Sequence, residues 1–131
     1  MPIPEDTPIT TLGATTINTG IYVLAILQQP QLTLPGRTVL AETETLTARD
    51  ILNLWSEVSG LPAEYVSISL DHYDALWPKW GREIGLMLQF WDCAREKSWI
   101  AEDTVIKKED LGLTDLVGIK EVFAGIDWTT V

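Results

Sequence analysis

Residues 47–69 read TARDILNLWSEVSGLPAEYVSIS, and the change of rhythm within that stretch decides the fold class. Thr47 followed by Asp50 resembles a capping box, with Asp in place of the usual Glu, so a helix is expected to start there and run through Ser59. Ile51, Leu54, Trp55 and Val58 repeat at helical spacing, and Gly60 ends the run. From Glu64 to Ser69 the period drops to two. Tyr65, Ser67 and Ser69 alternate with Val66, Ile68 and Leu70, the pattern of a half-buried strand. A chain that carries both periods side by side is a mixed α and β protein.

Working outward, Pro2–Pro8 reads as an extended lead-in and Thr10–Ala14 as a short strand. Asn18 or Thr19 can cap a helix through Gln29, with Ile21, Leu24 and Leu27 on one face and Pro30 as its stop. LPGRTVLAE is a proline–glycine turn feeding a strand at Thr38–Ala41. Downstream, Ser69 or Asp71 caps a helix toward Trp77, and Pro78 separates it from a longer helix through about Lys97. Lys107–Leu111 suits one short turn, and Thr114 is placed to cap a last helix to Ala124, ended by Gly125. The expectation is one α+β (small α/β) domain over residues 1–131, a short sheet of about three strands packed with roughly four to five helices.

Composition narrows the class. The 131 residues are 46% hydrophobic, enough for a single packed core. A net charge of −10 repels phosphate backbones, and the nine Lys and Arg residues form no dense cluster, so no nucleic-acid partner is expected. The longest apolar run, Ile21–Leu27, is too short to span a bilayer, and no leader-like segment opens the chain. One cysteine cannot form an internal disulfide, which fits a cytoplasmic location.

Four of the six tryptophans, with the only histidine and cysteine, crowd into residues 71–99, DHYDALWPKWGREIGLMLQFWDCAREKSW. Large aromatics so concentrated wall either a core or a pocket. The segments NTGIYVLAILQQP, GRTVLAETETLT, ILNLWSEVSGLPAEYVSISL, LWPKWGREIGLMLQFW and DLGLTDLVGIKEVFAGIDW resemble, in order and over nearly the whole chain, the C-terminal part of NmrA-like proteins. These are atypical relatives of the short-chain dehydrogenase/reductases. The resemblance implies the smaller, substrate-facing half of such a protein. Its shared segments are packing patterns rather than catalytic signatures.

Whole members of that family carry a glycine fingerprint that lets the backbone approach a pyrophosphate at a helix N-terminus. The chain has no such fingerprint, and Tyr22, Tyr65 and Tyr73 have no lysine four residues on, so no cofactor is expected. The close pair Gly81 and Gly85 is better explained by helix packing. Two origins fit: a truncated piece of a longer reductase, or a natural half-protein begun at Met1, which is the favoured expectation. A half-domain of this kind would bare an apolar face, and a homodimer is expected to cover it.

Within the aromatic stretch His72 is the natural acid/base candidate, with Asp71 and Asp74 beside it, although a single histidine near a helix start is more often a surface or capping residue. Tyr73 is the candidate hydrogen-bond donor. Glu83 and Asp92 become candidate acids or bases only if turned inward, and a Lys79–Glu83 surface ion pair is the plainer reading. Trp77, Trp80, Met87, Trp91 and Trp99, with Tyr65, are the candidate wall for an apolar guest, against the ordinary reading of an aromatic stripe as core. Cys93, beyond Pro78 from His72, is expected to be a buried bystander, and one His and one Cys supply no metal-ligand spacing.

Three functions follow. The first is a cofactor-independent cyclase, isomerase or pericyclase that shapes a small apolar or polycyclic metabolite, a reading the resemblance favours because NmrA-like relatives often sit in secondary-metabolite pathways. The second is a non-catalytic binding or regulatory module of NmrA-like type, its acidity steering a basic partner. The third is a fragment of an NAD(P)-dependent reductase.

Overall fold

The computed structural model describes residues 1–98 and 104–130. They form an α+β fold with a two-stranded antiparallel sheet, β1 (Pro8–Thr11) against β2 (Glu44–Thr47). The helices are α1 (Thr15–Gln28), α2 (Pro30–Thr33), α3 (Ala48–Ser59), α4 (Leu70–Leu76), α5 (Gly81–Ala94) and α6 (Ile119–Ala124). Short 3-10 turns lie at Arg95–Lys97 and Trp128–Thr130. No helix among the described residues is long and apolar enough to cross a membrane. The chain divides into two compact units, Met1–Ile9 with Leu46–Ser98, and Thr10–Thr45 with Trp99–Val131.

In the first unit α3 is delimited as its sequence dictates. Thr47 Oγ1 accepts from the Asp50 N–H at 3.0 Å, and the Asp50 carboxylate accepts from the Thr47 N–H at 3.2 Å. Those two bonds satisfy donors that a helix start leaves orphaned. The Thr47 hydroxyl also donates to the Asp50 carboxylate at 2.6 Å, and this bond first, with that from the Thr47 N–H, holds the Asp50 carboxyl below its ordinary range. Gly60 closes the helix at φ 71°, a left-handed position that costs a residue with a Cβ more.

Around α3 the unit's core is Ile3, Ala48 and Leu88, with Ile9, Tyr65, Tyr73, Ile84 and Trp91 packed on it. The lead-in is therefore more than an extended approach. Ile3 is 2% exposed, and side chains along residues 3–7 are pinned by partners elsewhere in the unit. Tyr65 donates its hydroxyl to the Ile3 carbonyl at 2.9 Å, and Arg49 pairs with Glu5. Arg95 reaches Asp6 at 3.0 Å, and Thr7 donates to Asp92 at 2.8 Å.

Residues 64–69 do not form the expected strand. Their pairing is confined to the chain start, where the Met1 amine donates to Val66 O at 2.7 Å and the Ile68 N–H to Met1 O at 3.0 Å. With no ladder to lie in, Val66 turns to solvent and Tyr65 turns inward, which breaks the alternation the sequence presents. α5 also ends earlier than Lys97. Arg95 takes a positive φ of 46°, a region disfavoured for residues other than glycine, and the helix gives way to a 3-10 turn.

The second unit is built on α1. This helix begins at Thr15, ahead of the expected Asn18 or Thr19 cap, and Asn18 is instead fully buried inside it. Its Nδ2 donates to Leu12 O at 2.6 Å, Val117 O at 2.8 Å and Thr43 Oγ1 at 3.1 Å. Its Oδ1 accepts from the Val117 N–H at 3.0 Å. One amide thus ties together three segments remote in sequence.

Tyr22, Ala25, Ile106 and Leu111 form the apolar centre of this unit, with Leu12, Leu32, Val39, Leu113 and Leu116 around them. The Tyr22 hydroxyl donates to Glu42 O at 2.6 Å, and burial pushes its pKa up. The strand expected at Thr38–Ala41 shrinks to one parallel bridge, Val39 with Ile106, and β2 forms just after it. Pro30 stops α1 but also opens the single turn of α2. At the far end, the last helix starts at Ile119 rather than near Thr114, because Glu44 accepts from the Ile119 N–H at 2.6 Å, and Gly125 closes it.

Replacing Asn18 with Ala removes the partner that the Val117 N–H has among the described residues, whereas Leu12 O keeps the Thr43 hydroxyl and Val117 O keeps the Ala14 N–H. One orphaned donor and the lost bonds set the expected destabilisation at about 2–3 kcal/mol, measurable by urea unfolding. A change within about 0.5 kcal/mol would show that water replaces the amide.

Candidate ligand-binding site

The corner between α4 and α5 gathers the aromatics. Of the two caps the sequence offers, Ser69 and Asp71, it is Ser69 that starts α4, accepting from the His72 N–H at 3.2 Å. The helix ends where the Trp77 N–H is shared between Tyr73 O and Asp74 O, each at 3.2 Å. Pro78 stands in the turn that follows, and α5 opens at Gly81.

Glycine is what lets the two helices touch. A Cβ on Gly81 would lie 2.6 Å from Asp74 Cα and 2.9 Å from Tyr73 O. One on Gly85 would lie 2.4 Å from Leu70 Cδ1 and 3.3 Å from Tyr73 Cδ1. Helix packing therefore accounts for both glycines. The inward stripe of α5 runs through Gly81, Gly85 and Leu88, with Ile84 and Trp91 half-buried beside it.

Tyr73, Trp77, Trp80, Gly81 and Ile84 line an open hollow of about 290 Å³ at this corner. Trp77 is 59% and Trp80 65% exposed, so their indoles border the hollow rather than fill a core. No lining residue carries a charge. A lining of this kind offers aromatic and apolar contact area and no ion-pairing group.

The other candidate residues are dispersed. His72 is exposed on the first turn of α4, and Glu83 is exposed on the first turn of α5. The Lys79–Glu83 pair is not formed among the described residues; Arg82 reaches Asp71 at 3.6 Å instead. Asp92 is partly buried but accepts from the fully buried Thr7, with Arg95 3.7 Å away. Tyr65 spends its hydroxyl on Ile3, and its pKa is pushed up by burial and further by the Asp92 charge.

Met87 faces solvent, and Trp91 packs on the core of its unit. Cys93 is exposed rather than buried, since it falls out of phase with the inward stripe of α5. Trp99 lies outside the described residues. Among the described residues, no group of three or more His, Cys, Asp or Glu is placed to hold a metal ion. Thr7 was not singled out by sequence reasoning, and only its position between Pro4 and Pro8 could have hinted that this segment is held in place.

An α+β chain with an apolar, aromatic-lined corner is the class that fold and site define. The NmrA-like family model matches residues 1–116, and the chain belongs to the NmrA-like family. No curated protein and no solved structure matches it.

The two glycines make separable demands. Gly81→Ala drives a methyl into backbone and is expected to cost about 2–3 kcal/mol in urea unfolding. Gly85→Ala presses on the movable end of Leu70 and should cost less than half of that. Equal costs would mean that α4 does not lie on Gly81 as described.

Proposed function

We propose that the α4–α5 hollow is a binding site for a small molecule with a flat or polycyclic apolar body, and that this NmrA-like chain works by holding it. One observation carries this reading: three aromatic side chains surround an open, uncharged hollow of about 290 Å³. Indoles left half in water have apolar area still to bury, and each stacked ring adds roughly 0.5–1.5 kcal/mol beyond that area.

Cofactor-independent cyclisation, isomerisation or pericyclic chemistry is the catalytic extension of this reading. It needs a guest held in a near-attack shape more than it needs acids and bases. Tyr73 would orient a carbonyl, and His72, next along the chain, would serve as the proton relay. In a longer NmrA-like reductase the same hollow would receive the substrate.

Nile red, a neutral polycyclic probe, is expected to bind the chain with enhanced fluorescence. Trp80→Ala should weaken it about tenfold, and Val66→Ala, which trims an exposed valine that belongs neither to the lining of the hollow nor to α1, should leave it unchanged. Equal binding by Trp77→Ala, Trp80→Ala and the unaltered chain would remove the hollow as the site.

A second reading concerns α1. Its residues Thr15–Gln28 include no charged side chain, and Ile17, Val23, Leu24 and Leu27 are exposed on the face opposite Asn18, Tyr22 and Ala25. Four large apolar side chains exposed on one uncharged helix form a patch of the kind that contacts ordinarily cover. In a chain of net charge −10, an uncharged face is where two identical copies meet with least repulsion, so we propose a homodimer paired through α1. Light scattering at micromolar concentration should give twice the chain mass, and Leu24→Glu should halve it with unchanged far-UV circular dichroism. A monomeric mass for the unaltered chain would overturn this.

A further inference from the structure

We infer that the guest preferred by the α4–α5 hollow presents an organic cation, a quaternary or alkylated ammonium group, to its three aromatic rings. The inference rests on the binding reading above and specifies its ligand class. Tyr73, Trp77 and Trp80 make up three of the five lining residues, the others being Gly81 and Ile84. The faces of such rings are the negative ends of their quadrupoles, and a cation within about 6 Å of several of them is attracted to each. An alkylated ammonium adds methyl groups that gain from the same apolar wall.

Two further features separate a cation from a neutral guest. The first is the mouth of the hollow. An enclosed apolar cavity would strip a cation of its water at large cost, but indoles 59% and 65% exposed leave it a wet side.

The second is charge. Residues 70–84 carry three carboxylates, Asp71, Asp74 and Glu83, against two cations, Lys79 and Arg82, and none of the five lines the hollow, so the sign of the charge near it is slightly negative. Arg82 is turned to Asp71 at 3.6 Å. The whole chain, at −10, raises the local concentration of cations and lowers that of anions.

Choline and its neutral isostere 3,3-dimethyl-1-butanol differ only in the charge at the branched centre, so titrating each against the full chain isolates the inference. Choline is expected to bind about tenfold more tightly, and to shift the indole N–H resonances of Trp77 and Trp80. Trp80→Phe retains a π face and should keep most of the preference. Trp80→Leu keeps apolar bulk alone and should lose most of it while still binding the alcohol.

Equal affinities for the two compounds, or a preference that survives Trp80→Leu, would overturn the cation assignment and leave the apolar site standing. Nile red binding without choline binding has the same meaning. If neither choline nor Nile red binds, the reading of the hollow as a ligand site falls with it.

Discussion

The corner between α4 and α5 depends on one steric constraint: two glycines, a turn apart on α5, against which α4 lies in direct contact. Because Gly81 has no side chain, the backbone at Tyr73 and Asp74 occupies the space where a Cβ would be. Tyr73 is thereby held at the junction, half-buried against the unit's core, while Trp77 and Trp80 are carried out on the turn that links the helices. The hollow is the space that this close approach and its short turn leave open. Its apolar lining is a consequence of helix packing, and its aromatic character comes from Tyr73 on α4 and the two tryptophans of the turn.

The same unit shows why the titratable residues do not gather in that hollow. Asp92 and Tyr65 face the lead-in, where they meet Thr7 and Ile3, and Arg95 at the end of α5 meets Asp6. These contacts satisfy the polar groups of an irregular segment that belongs to no ladder until β1 begins. They use up the hydrogen-bonding capacity that a reactive site would need. Asp92, Tyr65 and Arg95 are therefore engaged with the lead-in, while Trp77 and Trp80 stay exposed at the corner.

Local chemistry was legible in the sequence wherever a residue acts on its own neighbours. The Thr47–Asp50 box, Gly60 and the closing Gly125 all work within a few residues and each bounds its helix as read, and of the two caps offered for α4 it is Ser69 rather than Asp71 that serves. The mixed α+β class and the family resemblance were legible too. The count of strands was not, since a strand needs a partner that its own period cannot supply. Residues 64–69 have the alternation without the ladder, and Thr38–Ala41 contributes only one bridge. Asn18 was misread for a related reason. Its side chain suits a cap, yet its partners Leu12, Thr43 and Val117 are brought to it by tertiary structure. At the site, the aromatic crowding was visible, but which rings face solvent depends on where α5 starts. Pro78 alone could not place that start at Gly81.

Charge is distributed in a way that gives these surfaces a common logic. The chain holds 19 acidic and nine basic residues, yet none lies in α1 and none lines the hollow. Contact at either surface must therefore come from apolar area and ring faces rather than from ion pairing. The net negative charge of the chain acts over the screening length, about 8 Å at physiological ionic strength, by repelling anions and drawing in cations. On the proposal of a cationic guest, the net charge would select the sign of what approaches and the indoles its shape: a neutral guest would feel only the second filter, whereas a cation with apolar substituents would pass both.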